Sequence, residues 1–202
     1  MSSLWIGIIL FGSILGTTII IVLILALFQQ HKIKQFKQKR NELQTAINEN
    51  LLFLNSSLAE ITITYELPKN EKCYYQAKIN GYEIIKKKEI NQNIYYLKQP
   101  INLQYHIENL VGYLNLTTAT GIETISGEIY VTNYRLVITT KQQNLVIWLR
   151  DVNFALPSIF NLNGLYQSGF FISTNEKIYR FITNDVKISM TIFKVWQQQK
   201  GI

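Results

Sequence analysis

The first thirty residues carry no charged side chain, and the ten that follow hold Lys32, Lys34, Lys37, Lys39 and Arg40 with no acid among them. That contrast limits what the chain can fold into more than any other stretch does. From Leu4 to Phe28 the chain is a continuous apolar run. As a helix its 25 residues would extend about 37 Å, enough to cross a hydrocarbon core of about 30 Å with some tilt. Each Leu, Ile, Val or Phe at the centre of such a helix favours insertion by roughly 0.3–0.6 kcal/mol. The core helix of a soluble domain seldom stays apolar on every face for this length, so residues 1–30 read as a transmembrane anchor.

A cleaved signal peptide needs a basic n-region and a small-x-small cleavage site. Met1-Ser2-Ser3 has no basic side chain, and the run ends in Ala26-Leu27-Phe28-Gln29-Gln30. With five basic residues on the C-terminal side alone, the positive-inside rule keeps that side in the cytoplasm and sends the N-terminus across. The expected location is therefore the cell membrane, single-pass, with the remainder cytoplasmic. Cys73 is the sole cysteine, which suits a reducing compartment. The Asn-x-Ser/Thr triplets at Asn55 and Asn115 would matter only outside the cell.

The net charge of +7 lies wholly after residue 30, and its densest cluster is juxtamembrane. There each cation gains up to about 1 kcal/mol from anionic lipid. The span accounts for that cluster without nucleic acid, and the cations form no nucleic-acid-binding motif.

Residues 31–64 are expected to form a helical, coiled-coil-like neck. No Pro or Gly falls between His31 and Ile61, and Ile33, Phe36, Leu43, Ile47, Leu51, Leu54, Leu58 and Ile61 recur at helical spacing. Such a stripe serves either a parallel homodimer or a fold-back against the following domain. Gly12 and Gly16 add small-xxx-small spacing inside the span. A homodimer through 12–16 and 33–61 is therefore one expectation.

Residues 65–202 read as a mainly-β sandwich or barrel. Short runs rich in Ile, Val, Tyr and Phe alternate with turn residues: 73–79, 82–85, 94–97, 112–116, 128–131, 135–140, 145–149, 169–173 and 177–182. Asn80-Gly81 signals a type I′ hairpin, and Asn175-Glu176 a second tight link. After Asn184 or Asp185 as N-cap, Ile188, Ile192 and Val195 share one face with Phe193 and Trp196 beside them. That spacing predicts an amphipathic C-terminal α-helix plugging the open end of the barrel.

Within this domain, Ser126-Gly127-Glu128-Ile129-Tyr130-Val131-Thr132-Asn133-Tyr134-Arg135-Leu136-Val137-Ile138 resembles the signature hairpin of GRAM-like and bacterial PH-like domains. Leu67 to Tyr75 resembles the start of uncharacterised bacterial membrane-anchored proteins with that hairpin, although Asn70 stands where they carry Gly. Leu145 to Val152 is similar to their next strand. The resemblance covers about 66–200, and Thr132-Asn133-x-Arg135 is its specific part. Gly127 would permit close backbone approach, Thr132 and Asn133 would form a turn through side-chain hydrogen bonds, and Arg135 would hold loop carbonyls or an acid from the next strand. These four are fold-signature residues. The resemblance also implies that anionic headgroups bind in the loop between the first two strands, which makes Lys86, Lys87 and Lys88 candidate lipid contacts beside Lys32, Lys34, Lys37, Lys39 and Arg40. Three lysines in a row are ordinarily just a solvated turn.

No catalytic constellation stands out. His31 and His106 lie far apart, no Gly-rich phosphate loop or nucleophile elbow occurs, and acids are scattered. Cys73 reads as a small core residue. No catalytic residue, cofactor or metal is expected. The expected function is a non-enzymatic, membrane-tethered PH-like module that binds or scaffolds a protein partner. An anionic-lipid sensor and a dimeric spacer are the alternatives.

Overall fold

The computed structural model describes residues 3–84, 114–116, 122–141, 144–162 and 164–201. The chain divides into two compact units, Met1–Gln38 and Lys39–Ile202. Helix α1 runs Ser3–Glu49, so its last turns belong to the second unit. Among the described residues it is the one helix long and apolar enough to cross a membrane. Phe11, Ile14, Ile19 to Leu25, Leu27 and Phe28 are exposed along it. Exposed aliphatic side chains over this length have no counterpart to pack on within the unit; a hydrocarbon environment supplies one. The hydroxyls of Thr17 and Thr18 donate to the Ile14 carbonyl at 2.9 and 2.8 Å, so neither is left unpaired on an apolar helix.

The neck is shorter than its spacing predicts. α1 ends at Glu49, and a one-turn helix α2, Leu51–Asn55, follows. Asn50 interrupts the ladder because its amide Nδ2 donates to the Ala46 carbonyl at 2.8 Å, while its backbone N–H closes a tight turn on Ile47 at 3.1 Å. Ser56 then turns extended. Of the helical stripe, Leu43 and Ile47 are buried within a single copy of the chain, which is the fold-back arrangement for that part.

From Ile61 the burial alternates with period two: Ile61, Ile63, Tyr65 and Leu67 are half-buried and the residues between them exposed. These four side chains pack on Cys73, Tyr130 and Val137, and the Tyr65 and Tyr130 rings stack at 5.3 Å. The Ile61 N–H donates to the Cys73 carbonyl at 2.8 Å. The stretch 56–72 is thus an extended strap laid over the sheet rather than the end of a helix.

The strands are β1 (Cys73–Ile84), β2 (Leu114–Leu116), β3 (Ile122–Thr132), β4 (Arg135–Thr140), β5 (Asn144–Trp148), β6 (Val152–Leu162), β7 (Leu165–Thr174) and β8 (Ile178–Ile182). They form one sheet in the order β2-β6-β7-β8-β1-β3-β4-β5. Only β2 with β6 is parallel among these pairs. Two meanders, β1-β3-β4-β5 and β6-β7-β8, meet on β1, whose residues Asn80–Ile84 pair with β3 on one side and β8 on the other.

This corrects the expected hairpin at Asn80-Gly81, because β1 runs straight through it. Gly81 meets a different need: a Cβ there would lie 2.4 Å from Cδ1 of Phe181 on the neighbouring strand. Asn-Gly fits a type I′ turn, but it equally fits a strand crossed by an aromatic ring. Residues 154–162 form most of β6, which sequence alternation did not reveal, since Ala155, Leu156, Ile159 and Phe160 are consecutive or near-consecutive core residues. The expected strand over 94–97 lies outside the described residues.

Helix α3, Val186–Lys200, closes the domain. Asp185 caps it by accepting from the Lys187 N–H at 3.1 Å, and Gly201 at φ 68° ends it in the left-handed conformation. The helix is more enclosed than an amphipathic pattern predicts. Every residue from Ile188 to Phe193 is buried, and at 100° per residue that run covers all faces. α3 touches β1, β3, β6, β7 and the 3-10 turn at Leu149–Asp151, so both meanders wrap it. Ser189 and Thr191 tolerate this because their hydroxyls donate within the helix, to Val186 and Lys187 carbonyls at 2.9 and 2.8 Å. The Trp196 indole N–H donates to the Val152 carbonyl at 3.0 Å. Val186, Ile188, Thr191, Ile192 and Val195 are β-branched and poor helix formers, so burial rather than propensity holds this helix.

One tight contact tests this packing. A Cβ on Gly127 would lie 1.9 Å from the Thr139 carbonyl oxygen, a backbone atom that cannot swing aside. Gly127→Ala is expected to destabilise the second unit by about 3 kcal/mol, the upper end for overpacking, measured by denaturant unfolding in detergent micelles. Gly12→Ala, with nothing within 4 Å, should leave the midpoint unchanged.

Candidate functional site

The signature residues come together where the strap enters the sheet. β3 and β4 are joined by Asn133 and Tyr134, and Glu71 reaches this turn from the strap. The Arg135 guanidinium donates to both Glu71 oxygens, Nε to Oε1 at 2.9 Å and Nη2 to Oε2 at 3.0 Å. Their side chains are 15% and 5% exposed, so the pair is largely withdrawn from water. Contact with Glu71 raises the Arg135 pKa further above its already high ordinary value, and the guanidinium stays charged.

Thr132 is fully buried at the centre. Its Oγ1 accepts from the Tyr134 and Arg135 N–H groups at 3.2 and 3.0 Å. Its one proton has two acceptors in reach, Glu71 Oε1 at 2.7 Å and the Arg135 carbonyl at 2.8 Å. Asn133 behaves as a short strand: its N–H donates to the Lys72 carbonyl at 3.1 Å and its Oδ1 accepts the Lys72 N–H at 2.9 Å. Its Nδ2 donates to the Asn70 carbonyl at 3.4 Å. Asn70 itself holds φ 72°, a left-handed conformation that Asn tolerates better than most residues. The Gly-to-Asn departure is therefore compatible with the turn.

Two further bonds tie this turn to the rest of the domain. The Leu149 N–H donates to the Tyr134 carbonyl at 3.0 Å, and Gln199 Nε2 near the end of α3 donates to the Asn133 carbonyl at 2.6 Å. The acid that holds Arg135 thus comes from the segment before β1 rather than from the next strand. Sequence reasoning missed Glu71 because it sits outside both strands of the hairpin; the period-two Ile61-Thr62-Ile63-Thr64-Tyr65-Glu66-Leu67 was the signal that this segment lies on the sheet.

The arrangement is built for cohesion: Glu71 and Arg135 meet each other, and the buried Thr132 hydroxyl is held by two backbone N–H groups. Cys73 is buried, and that burial pushes its thiol pKa up. Among the described residues no three His, Cys, Asp or Glu come together as a metal ion would require. A second tie joins β1 to α3: the Tyr75 hydroxyl donates to Asp185 Oδ2 at 2.7 Å while Oδ1 caps the helix. Burial first, and then this bond, raise the Tyr75 pKa well above its ordinary value. Lys194 of α3 donates to the carbonyls of Phe53, at 3.0 Å, and Ser56, capping the end of α2. Burial lowers its pKa.

Of the candidate lipid contacts, Lys32, Lys34 and Lys37 are exposed on α1. Lys39 pairs with Glu42 at 2.7 Å, and Arg40 is half-buried. Lys86, Lys87 and Lys88 lie outside the described residues. No protein-family model matches the chain, and no curated protein matches it in sequence.

Glu71→Gln leaves a largely buried guanidinium without its counter-charge and should cost about 3 kcal/mol of stability. Glu71→Met combined with Arg135→Met should cost less than Glu71→Gln alone, read from denaturant midpoints. For Tyr75 the raised pKa fixes the sign: its contribution is whole below the ordinary value of 10.0 and declines as pH climbs above it. Tyr75→Phe should therefore be less stable at neutral pH and show a shallower alkaline loss of stability.

Proposed function

We propose that the chain is a single-pass membrane protein that presents a cytoplasmic, PH-like domain as a binding or scaffold module for a protein partner. The observation that carries this reading is the pairing, in one chain, of a span-length helix with exposed apolar side chains and a β domain closed on its own C-terminal helix. Its basic flank, Lys32 to Arg40, supports the cytoplasmic side for everything after the span.

Support for the PH-like assignment comes from topology and from the hairpin. Among the described residues, setting aside the three-residue β2, seven strands run as two antiparallel meanders joined on β1, followed by a C-terminal helix. Thr132, Asn133 and Arg135 stand in the turn between the second and third of those seven. The buried polar groups of that turn are spent on holding the fold together, which favours recognition through the domain's surface over chemistry at this point.

Two measurements test this. A C-terminal tag should be accessible to antibody only after the membrane is permeabilised; labelling of intact cells would reverse the orientation. Affinity purification of the full chain from detergent extract should recover a stoichiometric protein partner, and a bait that stays clean across growth conditions would overturn the module reading.

A further inference from the structure

Strand β5 sits at one end of the sheet order, and among the described residues β4 is its one neighbouring strand. An edge strand turns the N–H and C=O of every second residue away from its neighbour, leaving hydrogen-bonding groups for another chain. Natural edges are usually blunted by a charge, a proline or a bulge. β5 has none of these. Asn144-Leu145-Val146-Ile147-Trp148 carries no charge and no Pro, and its five pairs with β4, from Arg135↔Trp148 to Thr139↔Asn144, run without a register shift.

Exposed cations stand at both ends of this edge. Arg135 in the neighbouring strand is already met by Glu71, which leaves Lys141 and Arg150 as the cations at the two ends of β5. Lys141 is exposed just before the start of β5, and Arg150, with its side chain 74% exposed, lies just past the end. The Arg150 Nε is 3.9 Å from Asp151 Oδ1, a loose and exposed pair. Trp148 is 40% exposed, with the Arg135 and Arg150 guanidiniums 5.3 and 5.2 Å from its ring centroid. An aromatic anchor beside arginine is the composition found where binding energy concentrates in interfaces.

We propose that β5 is a docking edge that accepts an extended, acid-flanked segment of a protein partner as an added strand. This rests on the binding-module reading and names the surface and partner chemistry for it. Main-chain bonds to the open edge would supply affinity. Carboxylates about five to six residues apart would meet Lys141 and Arg150 at the two ends of a strand about 17 Å long. Charge complementarity selects an acidic segment over a basic one.

The test uses the full chain in nonionic detergent micelles with two labelled peptides, acetyl-Glu-Thr-Val-Thr-Val-Thr-Glu-amide and its counterpart with Lys at both ends. The acid-ended peptide should bind at least tenfold tighter and slow amide hydrogen exchange across 144–148. The double variant Lys141→Glu, Arg150→Glu, altering exposed side chains only, should reverse that preference. Failure of the acid-ended peptide to bind, equal binding of both peptides, or binding that leaves β5 exchange unchanged would overturn the proposal. The partner arm separates the two readings: a stoichiometric partner still held by the double variant removes the edge but leaves the module, whereas absence of any partner removes the module itself.

Discussion

The Glu71–Arg135 ion pair is the contact on which the second unit most depends. It sits where the strap, the β3–β4 turn, the 3-10 turn after β5 and the end of α3 converge. A buried carboxylate and guanidinium are costly to bring out of water, and the cost is offset only when geometry is good and the remaining lone pairs are used. Here the pair is bidentate and the Thr132 hydroxyl lies 2.7 Å from Glu71 Oε1. Such a pair adds less to net stability than to register: it fixes which residue of the strap meets which residue of the turn. The apolar alternation at Ile61, Ile63, Tyr65 and Leu67 follows from that register, because a slip of one residue would turn all four outward.

The same fastening extends along the whole strap. The strap joins α2 to β1, in the same unit as the buried contacts of Leu43 and Ile47. Lys194 secures the start of that segment through the carbonyls of Phe53 and Ser56, and Glu71 secures its end. Between them, Ile61 bonds to Cys73 and Lys72 pairs with Glu60 at 3.1 Å. The exposed Lys72–Glu60 pair contributes little by itself; the buried contacts set the path. Leu52, 87% exposed on α2, lies outside all of this packing.

Much of the architecture was legible from the residues. The apolar run announces α1, the alternation of Val, Ile and Tyr announces β3 and β4, and Asn184 or Asp185 as N-cap announces α3. Thr132 and Asn133 form the expected side-chain-bonded turn, and Gly127 stands at a close backbone approach. What stayed hidden has physical causes. Asn50 ends α1 by a side-chain bond to the Ala46 carbonyl that residue type alone does not dictate. Asn80-Gly81 carries turn chemistry yet sits mid-strand, because Phe181 needs the space. β6 is buried on both faces along much of its length, so it shows no alternation to read. Glu71 was invisible as the partner of Arg135 because 64 residues of sequence separate two groups that touch.

The central claim is that strap and hairpin are one cooperative body fastened at Glu71. Native-state hydrogen exchange of the full chain in micelles tests it most directly, by comparing the amide of Ile61, bonded to Cys73, with those of Asn133 and Leu149, bonded to Lys72 and Tyr134. The account predicts that all three open together, with the same free energy and the same denaturant dependence. An Ile61 amide that exchanges orders of magnitude faster than Asn133 and Leu149 would contradict it and make the strap a loosely attached linker.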